Sequence, residues 1–122
     1  MPITYSIDKP NGIIVEVWTG EVAASVLAEH WKILLADPDA LAIRRTLVDL
    51  RNCHIEFLGQ ELFELIRTMV EPRLNGRGWR TALLVSDGLQ FGVSRQYQSF
   101  AQKYSDDAIF DEPNVALSWL IR

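Results

Sequence analysis

Apolar and polar positions alternate along this chain in a way that divides it into strands and helices. Ile3, Tyr5 and Ile7 alternate with polar residues, which predicts a half-buried strand. Pro10-Asn11-Gly12 supplies a turn, and a second strand rich in β-branched residues runs from Ile13 to Trp18, ending at Thr19-Gly20. So short a link makes the two strands an antiparallel hairpin. Val22, Val26, Leu27, His30, Trp31, Leu34 and Leu35 then recur at three-to-four spacing and predict a first helix. Asp37-Pro38-Asp39 is expected to stop it, because proline disfavours helix at the residue before it.

A third strand is predicted at Thr46 to Leu50, followed by a polar break at Arg51-Asn52-Cys53-His54. Leu58, Leu62, Phe63, Ile66, Met69 and Val70 carry helical spacing, so a second helix is predicted from Gly59 to Glu71, ahead of Pro72. Asn75-Gly76-Arg77-Gly78 reads as a loop. Arg80 to Ser86 reads as a fourth strand, and its unbroken apolar run Ala82 to Val85 suits a parallel strand buried on both faces. After a turn at Asp87-Gly88, the positions Val93, Tyr97, Phe100, Ala101 and Tyr104 predict a third helix. Ala108-Ile109-Phe110 is a short fifth strand, and Glu112-Pro113 opens a last helix with its proline near the first helical position. The predicted order is β-β-α-β-α-β-α-β-α. Strand–helix alternation after the hairpin implies an α/β fold: one mostly parallel five-stranded sheet with an antiparallel N-terminal hairpin and four helices.

Composition sharpens this picture. The chain has 122 residues, 48% of them hydrophobic and 23% charged, which suits a single domain spanning 1–122 with its own core. A net charge of −4 argues against a general nucleic-acid footprint, which is basic. The lone cysteine, Cys53, excludes an internal disulfide and a multi-cysteine zinc site within one chain. The N-terminus lacks the basic start and apolar run of a signal peptide, and no stretch approaches the roughly 20 apolar residues that span a bilayer. A cytoplasmic location is the expectation. Cofactors and metals are not called for by any residue pattern.

The run Leu47-Val48-Asp49-Leu50-Arg51-Asn52 resembles the strand ending in an Asp-Leu pair of STAS domains, the SpoIIAA-like fold family of bacterial anti-sigma-factor antagonists. The element order is similar over nearly the whole chain, and a group of small bacterial STAS-like proteins of uncharacterised role resembles it too. In the antagonists, an Asp-Ser-Ser-Gly-like stretch begins the second helix, and its serine is a phosphorylation switch. Here that stretch is Phe57-Leu58-Gly59-Gln60, with no hydroxyl to carry a phosphate. The resemblance therefore implies the scaffold and a partner-docking role without the switch. It places contacts around Asn52, His54, Phe57, Leu58 and Gly59, where the resembling family meets partners.

Other candidates compete with ordinary structural roles. Asp87 and Gly88 follow the fourth strand at the sheet edge where α/β folds gather ligands, although an Asp-Gly turn needs no ligand. Cys53 and His54 are read as lying just past the third strand, where a thiolate–imidazole pair would support a small Cys-dependent enzyme; adjacent residues project apart and no third group orients them. No catalytic set is assigned. Asp106-Asp107 and Asp111-Glu112 are expected to flank an edge strand and discourage sheet aggregation, or to meet arginines (Arg73, Arg77, Arg80) of a second copy in a homodimer. Trp18, Trp31 and Trp119 are expected in the core, and Trp79 partly exposed beside arginines as a contact point. His30 is expected to pack. The leading expectation is a non-enzymatic docking module for a protein partner or a second copy. The alternative is a carrier of a small apolar, lipid-like ligand in a cleft lined by Phe57, Phe63, Met69, Phe91, Tyr97 and Phe100.

Overall fold

The computed structural model describes residues 2–74 and 78–122. Strand β1 (Ile3–Asp8) and strand β2 (Ile13–Val22) form the antiparallel hairpin, with Ile3 opposite Trp18 and Ile7 opposite Ile14. Helix α1 (Ala24–Leu34) and a short helix α2 (Pro38–Ile43) lead to β3 (Arg45–Ile55). A helix then runs over 59–74: Gly59–Leu65, a π-helical stretch Ile66–Val70, and a closing turn Glu71–Leu74, together α3. Next come β4 (Trp79–Leu84), α4 (Gly88–Phe100), β5 (Ser105–Phe110) and α5 (Pro113–Ile121). The five strands lie side by side in chain order, and every pair after the hairpin is parallel. This is the architecture the hydrophobic pattern predicts.

Period-two alternation decides what each face of the sheet buries. Ile14, Trp18, Val48, Leu50 and Leu83 face α1, α3 and α4 and make the main core. On the other face Ile13 and Ala82 pack against Ala116 and Leu120 of α5. Arg45 donates from Nη1 to the Leu120 carbonyl at 3.2 Å, and the Arg80 guanidinium stacks 4.1 Å above the Trp119 ring. Both cations sit at the C-terminal end of α5, where the helix dipole favours positive charge.

Several predicted boundaries are corrected, among them Val22, which ends β2 instead of opening α1, and the fourth strand, which is Trp79–Leu84. Helix α1 ends at Leu34, ahead of the proline, and Pro38 starts α2: Asp37 caps that helix, accepting from the Asp39 amide at 2.9 Å, and proline suits the first helical turn. Five helices result where four are predicted. Strand β3 runs to Ile55, so Asn52, Cys53 and His54 are strand residues and not a break. Their partners are Thr19, Gly20 and Glu21 of an equally extended β2, whose register shifts between Val17 and Thr19. Gly20 adopts φ +65° in that irregular stretch, a value side chains resist. Helix α3 passes Pro72, which follows directly on a π-helical stretch, a wider turn of the kind in which the regular hydrogen-bond ladder is already interrupted. Strand β5 begins at Ser105, which brings Asp106 and Asp107 into the sheet. The predicted loop residues Asn75, Gly76 and Arg77 lie outside the described residues.

Candidate functional site

The carboxyl edge of the sheet gathers the starts of α3 and α4. Asp87 caps α4, accepting from the Gln90 amide at 2.8 Å, and Gly88 is the first helical residue. The Gln90 side chain is buried and ties that start to β3: its Nε2 donates to the Cys53 carbonyl at 3.1 Å and its Oε1 accepts from the Ser86 amide at 2.7 Å. Asp87 and Gly88 thus perform the helix-starting role of a cap and first turn.

Helix α3 begins differently. Its N-cap position holds Leu58, which has no side-chain oxygen to offer the helix amides, and the residue is 70% exposed. Glu61 compensates in part, its Oε1 accepting from the Leu58 amide at 2.9 Å. Leu58 lines a shallow surface groove with Ala24, Leu65, Glu61 and Glu64, and Glu64 pairs with Arg67 at 2.8 Å. Gly59 faces α4: a Cβ there would sit 2.6 Å from Nε2 of Gln96, the far end of a flexible side chain that would have to shift. One turn further, Phe63 meets Phe100 edge-on at 5.2 Å while remaining exposed. Leu89 and Phe91, on the first turn of α4, are exposed as well.

The remaining sequence candidates separate. Asn52 and His54 point to solvent, and His54 Nε2 lies 3.7 Å from Glu56 Oε1. Cys53 points to the opposite face and is buried, so β-strand alternation parts it from His54. Burial pushes the Cys53 thiol up to about 11, with Asp87 and Asp49 adding to it. That is the reverse of an activated nucleophile. Phe57 is buried against Trp18, 6.4 Å between rings. Trp79 is buried rather than partly exposed, and its Nε1 donates to Thr46 Oγ1 at 2.9 Å.

Beneath the helices lies a feature the sequence reading does not anticipate. The strand register aligns Thr46, Thr81 and Asp107 in one row across β3, β4 and β5. All three are buried. Asp107 accepts from the Ser105 hydroxyl through one oxygen, while its other oxygen has no partner among the described residues. Burial pushes the Asp107 carboxyl up to about 7, against the pull of Ser105 and Thr81. Burial, then Asp107, raises the Tyr97 phenol beside it. On β2 the row continues diagonally to Glu16, itself buried, which accepts from Trp18 Nε1 at 2.8 Å. His30 Nε2 lies 2.9 Å from Glu16 Oε1, an ion-pair distance without hydrogen-bond alignment. Tyr5 abuts His30 edge-on at 5.8 Å and donates to Asp37 at 2.6 Å, carrying the polar chain to the surface.

A cavity of about 70 Å³ opens between this row and the helices. Phe57 and Tyr97 of the anticipated apolar cleft line it. Phe63 and Phe91 do not, being exposed. Threonines and serines at strand or helix positions carry no burial signal of their own; only knowledge of the register would have aligned them. Among the described residues no group of three or more His, Cys, Asp or Glu side chains is placed to hold a metal ion. No described helix is long and apolar enough to cross a membrane.

No family model and no curated protein matches the chain. Among solved structures it is similar to an uncharacterised protein of the DUF3478 family from Shewanella loihica PV-4, described as having a SpoIIAA-like fold. The two share 17% identity at a TM-score of 0.64, over 97% of this chain and 91% of that one. At that identity the likeness concerns the fold alone, and with the sheet order and the helices at its carboxyl edge it makes this chain a SpoIIAA-like α/β fold.

Proposed function

We propose that the chain is a non-enzymatic docking module that receives a protein partner on the surface around the start of α3. The observation that carries this reading is Leu58. Stability alone would favour Ser, Thr, Asp or Asn at an N-cap, by about 1 kcal/mol over an apolar residue. Leu58 instead leaves amides of the first turn without a side-chain cap and spends a large apolar side chain on solvent. Its groove is lined by Ala24, Leu58 and Leu65 together with Glu61, whose Oε1 accepts from the Leu58 amide, and Glu64, which pairs with Arg67 at 2.8 Å. Such a surface fits a partner segment that presents an apolar side chain to Leu58.

The test is Leu58→Ser, which improves the cap and removes the contact. The variant is expected to unfold about 1 kcal/mol later in denaturant. It should also lose a partner that the parent chain captures from extracts of its own cells. With that partner purified, affinity should fall about tenfold or more, the worth of one buried leucine. A variant that is more stable and binds unchanged would refute the reading.

A further inference from the structure

The cavity under the helices is distinct from the docking surface, and its walls are two-sided in chemistry. Trp18, Trp31, Trp79 and Leu62 present apolar surface, while Glu16 and Ser94 present polar atoms. Ser94 is 1% exposed, and its hydroxyl has no hydrogen-bond partner among the described residues. A buried hydroxyl without a partner is costly, and native structures leave few of them. Helix α3 borders the same space through Val70, the last residue of its π-helical stretch. π-Turns within α-helices concentrate at functional positions. We propose that this cavity is a binding site for a compact neutral alcohol, with a body of two or three carbons and one hydroxyl that pairs with Ser94.

Size and charge set that class. An apolar cavity of about 150 Å³ accepts benzene. At about 70 Å³ this one takes roughly half as many heavy atoms, too few for a lipid-like chain. Among the described residues no Lys, Arg or His lines the cavity while Glu16 does, which disfavours anions. The tryptophan and leucine walls favour a carbon body over a cluster of waters, which would lack partners on that side.

The experiment is a nuclear magnetic resonance titration of the isotope-labelled full chain with 2-propanol, and separately with acetate. Saturable shifts are expected at the methyl groups of Leu27, Leu62 and Val70 with 2-propanol and none with acetate. Ser94→Ala should weaken binding about fivefold, as loss of one hydrogen bond does. Ser94→Val, which fills the space, should abolish it. If the valine variant fails to fold, the alanine variant carries the test. Linear drift without saturation, equal curves for parent and Ser94→Ala, or equal response to acetate would each overturn the proposal. So would bound water that 2-propanol does not displace. Leu58→Ser should leave the titration unchanged, so failure of the docking reading and failure of this one are separable.

Discussion

Asp107→Asn isolates the energetic cost of the buried polar row. Asp107 is 8% exposed, one of its oxygens is unpartnered, and burial moves its carboxyl from 3.8 to about 7. The folded chain therefore prefers the neutral acid. Below pH 3.8 both folded and unfolded chains hold the proton, and the group costs nothing. Between 3.8 and about 7 the unfolded chain ionises while the folded chain does not, so stability falls as pH rises. The slope is at most about 1.4 kcal/mol per pH unit, and the full cost, reached above pH 7, is about 4 kcal/mol. Asparagine copies the shape of the neutral acid and cannot ionise. Urea unfolding of parent and variant at pH 4, 6 and 8.5 measures the difference, and contributions of the other carboxylates cancel. Asp107→Asn is expected to match the parent near pH 4 and to exceed it by about 2 to 4 kcal/mol at pH 8.5. A difference that stays flat with pH, or a variant that is weaker at pH 8.5, would refute the argument.

Two further outcomes follow from local geometry. Gly92 lies inside α4, exposed, with nothing within 4 Å of a Cβ built there. Gly92→Ala should stabilise by about 0.5 to 1 kcal/mol through helix propensity, seen as a rise of a few degrees in melting temperature; an unchanged or lower midpoint would contradict it. Cys53 is buried with its thiol pushed up to about 11, so a thiol reagent at pH 7.5 should label the native chain far more slowly than the unfolded one. Rapid native labelling would show that β3 opens or that the thiol is activated.

The parts of the fold that were legible in the sequence are those where hydrophobic period and burial coincide. The hairpin shows in Ile3, Tyr5 and Ile7 because Ile3 opposes Trp18 on one buried face. The helix containing Leu62, Ile66 and Val70 shows because these residues share an apolar stripe. Legibility failed where pairing continues through polar residues. Arg51 to His54 look like a break, yet β2 supplies backbone partners as far as Ile55, and backbone pairing does not depend on side-chain polarity. Asp106-Asp107 look like surface charge, and Asp106 is indeed exposed. Asp107 turns inward because β5 must alternate. Leu58 was nameable only as a candidate contact, from the resemblance. Its placement as a cap without an oxygen needed the backbone.

That cap also bears on how the scaffold is used. A bare helix start attracts anions through free amides and the helix dipole, and in the antagonists that the fold resembles a phosphate is carried there. In this chain the helix start differs from that in two respects. The hydroxyl is absent because the cap is Leu58, so no phosphate can be attached at that residue. The attraction for an outside anion is weakened as well, because the Glu61 carboxylate already accepts from the Leu58 amide. Restoring the hydroxyl alone would therefore not restore an anion site. Leu58→Ser with Glu61 in place should show no response to inorganic phosphate by calorimetry or amide shifts, whereas Leu58→Ser combined with Glu61→Gln should show a weak, salt-sensitive one. Equal phosphate response in both variants would mean that Glu61 does not guard the helix start. Silence in both would mean that backbone amides at this edge are not accessible to an anion. An apolar side chain and an internal carboxylate thus stand together at this helix start, where a bare one would expose its amides.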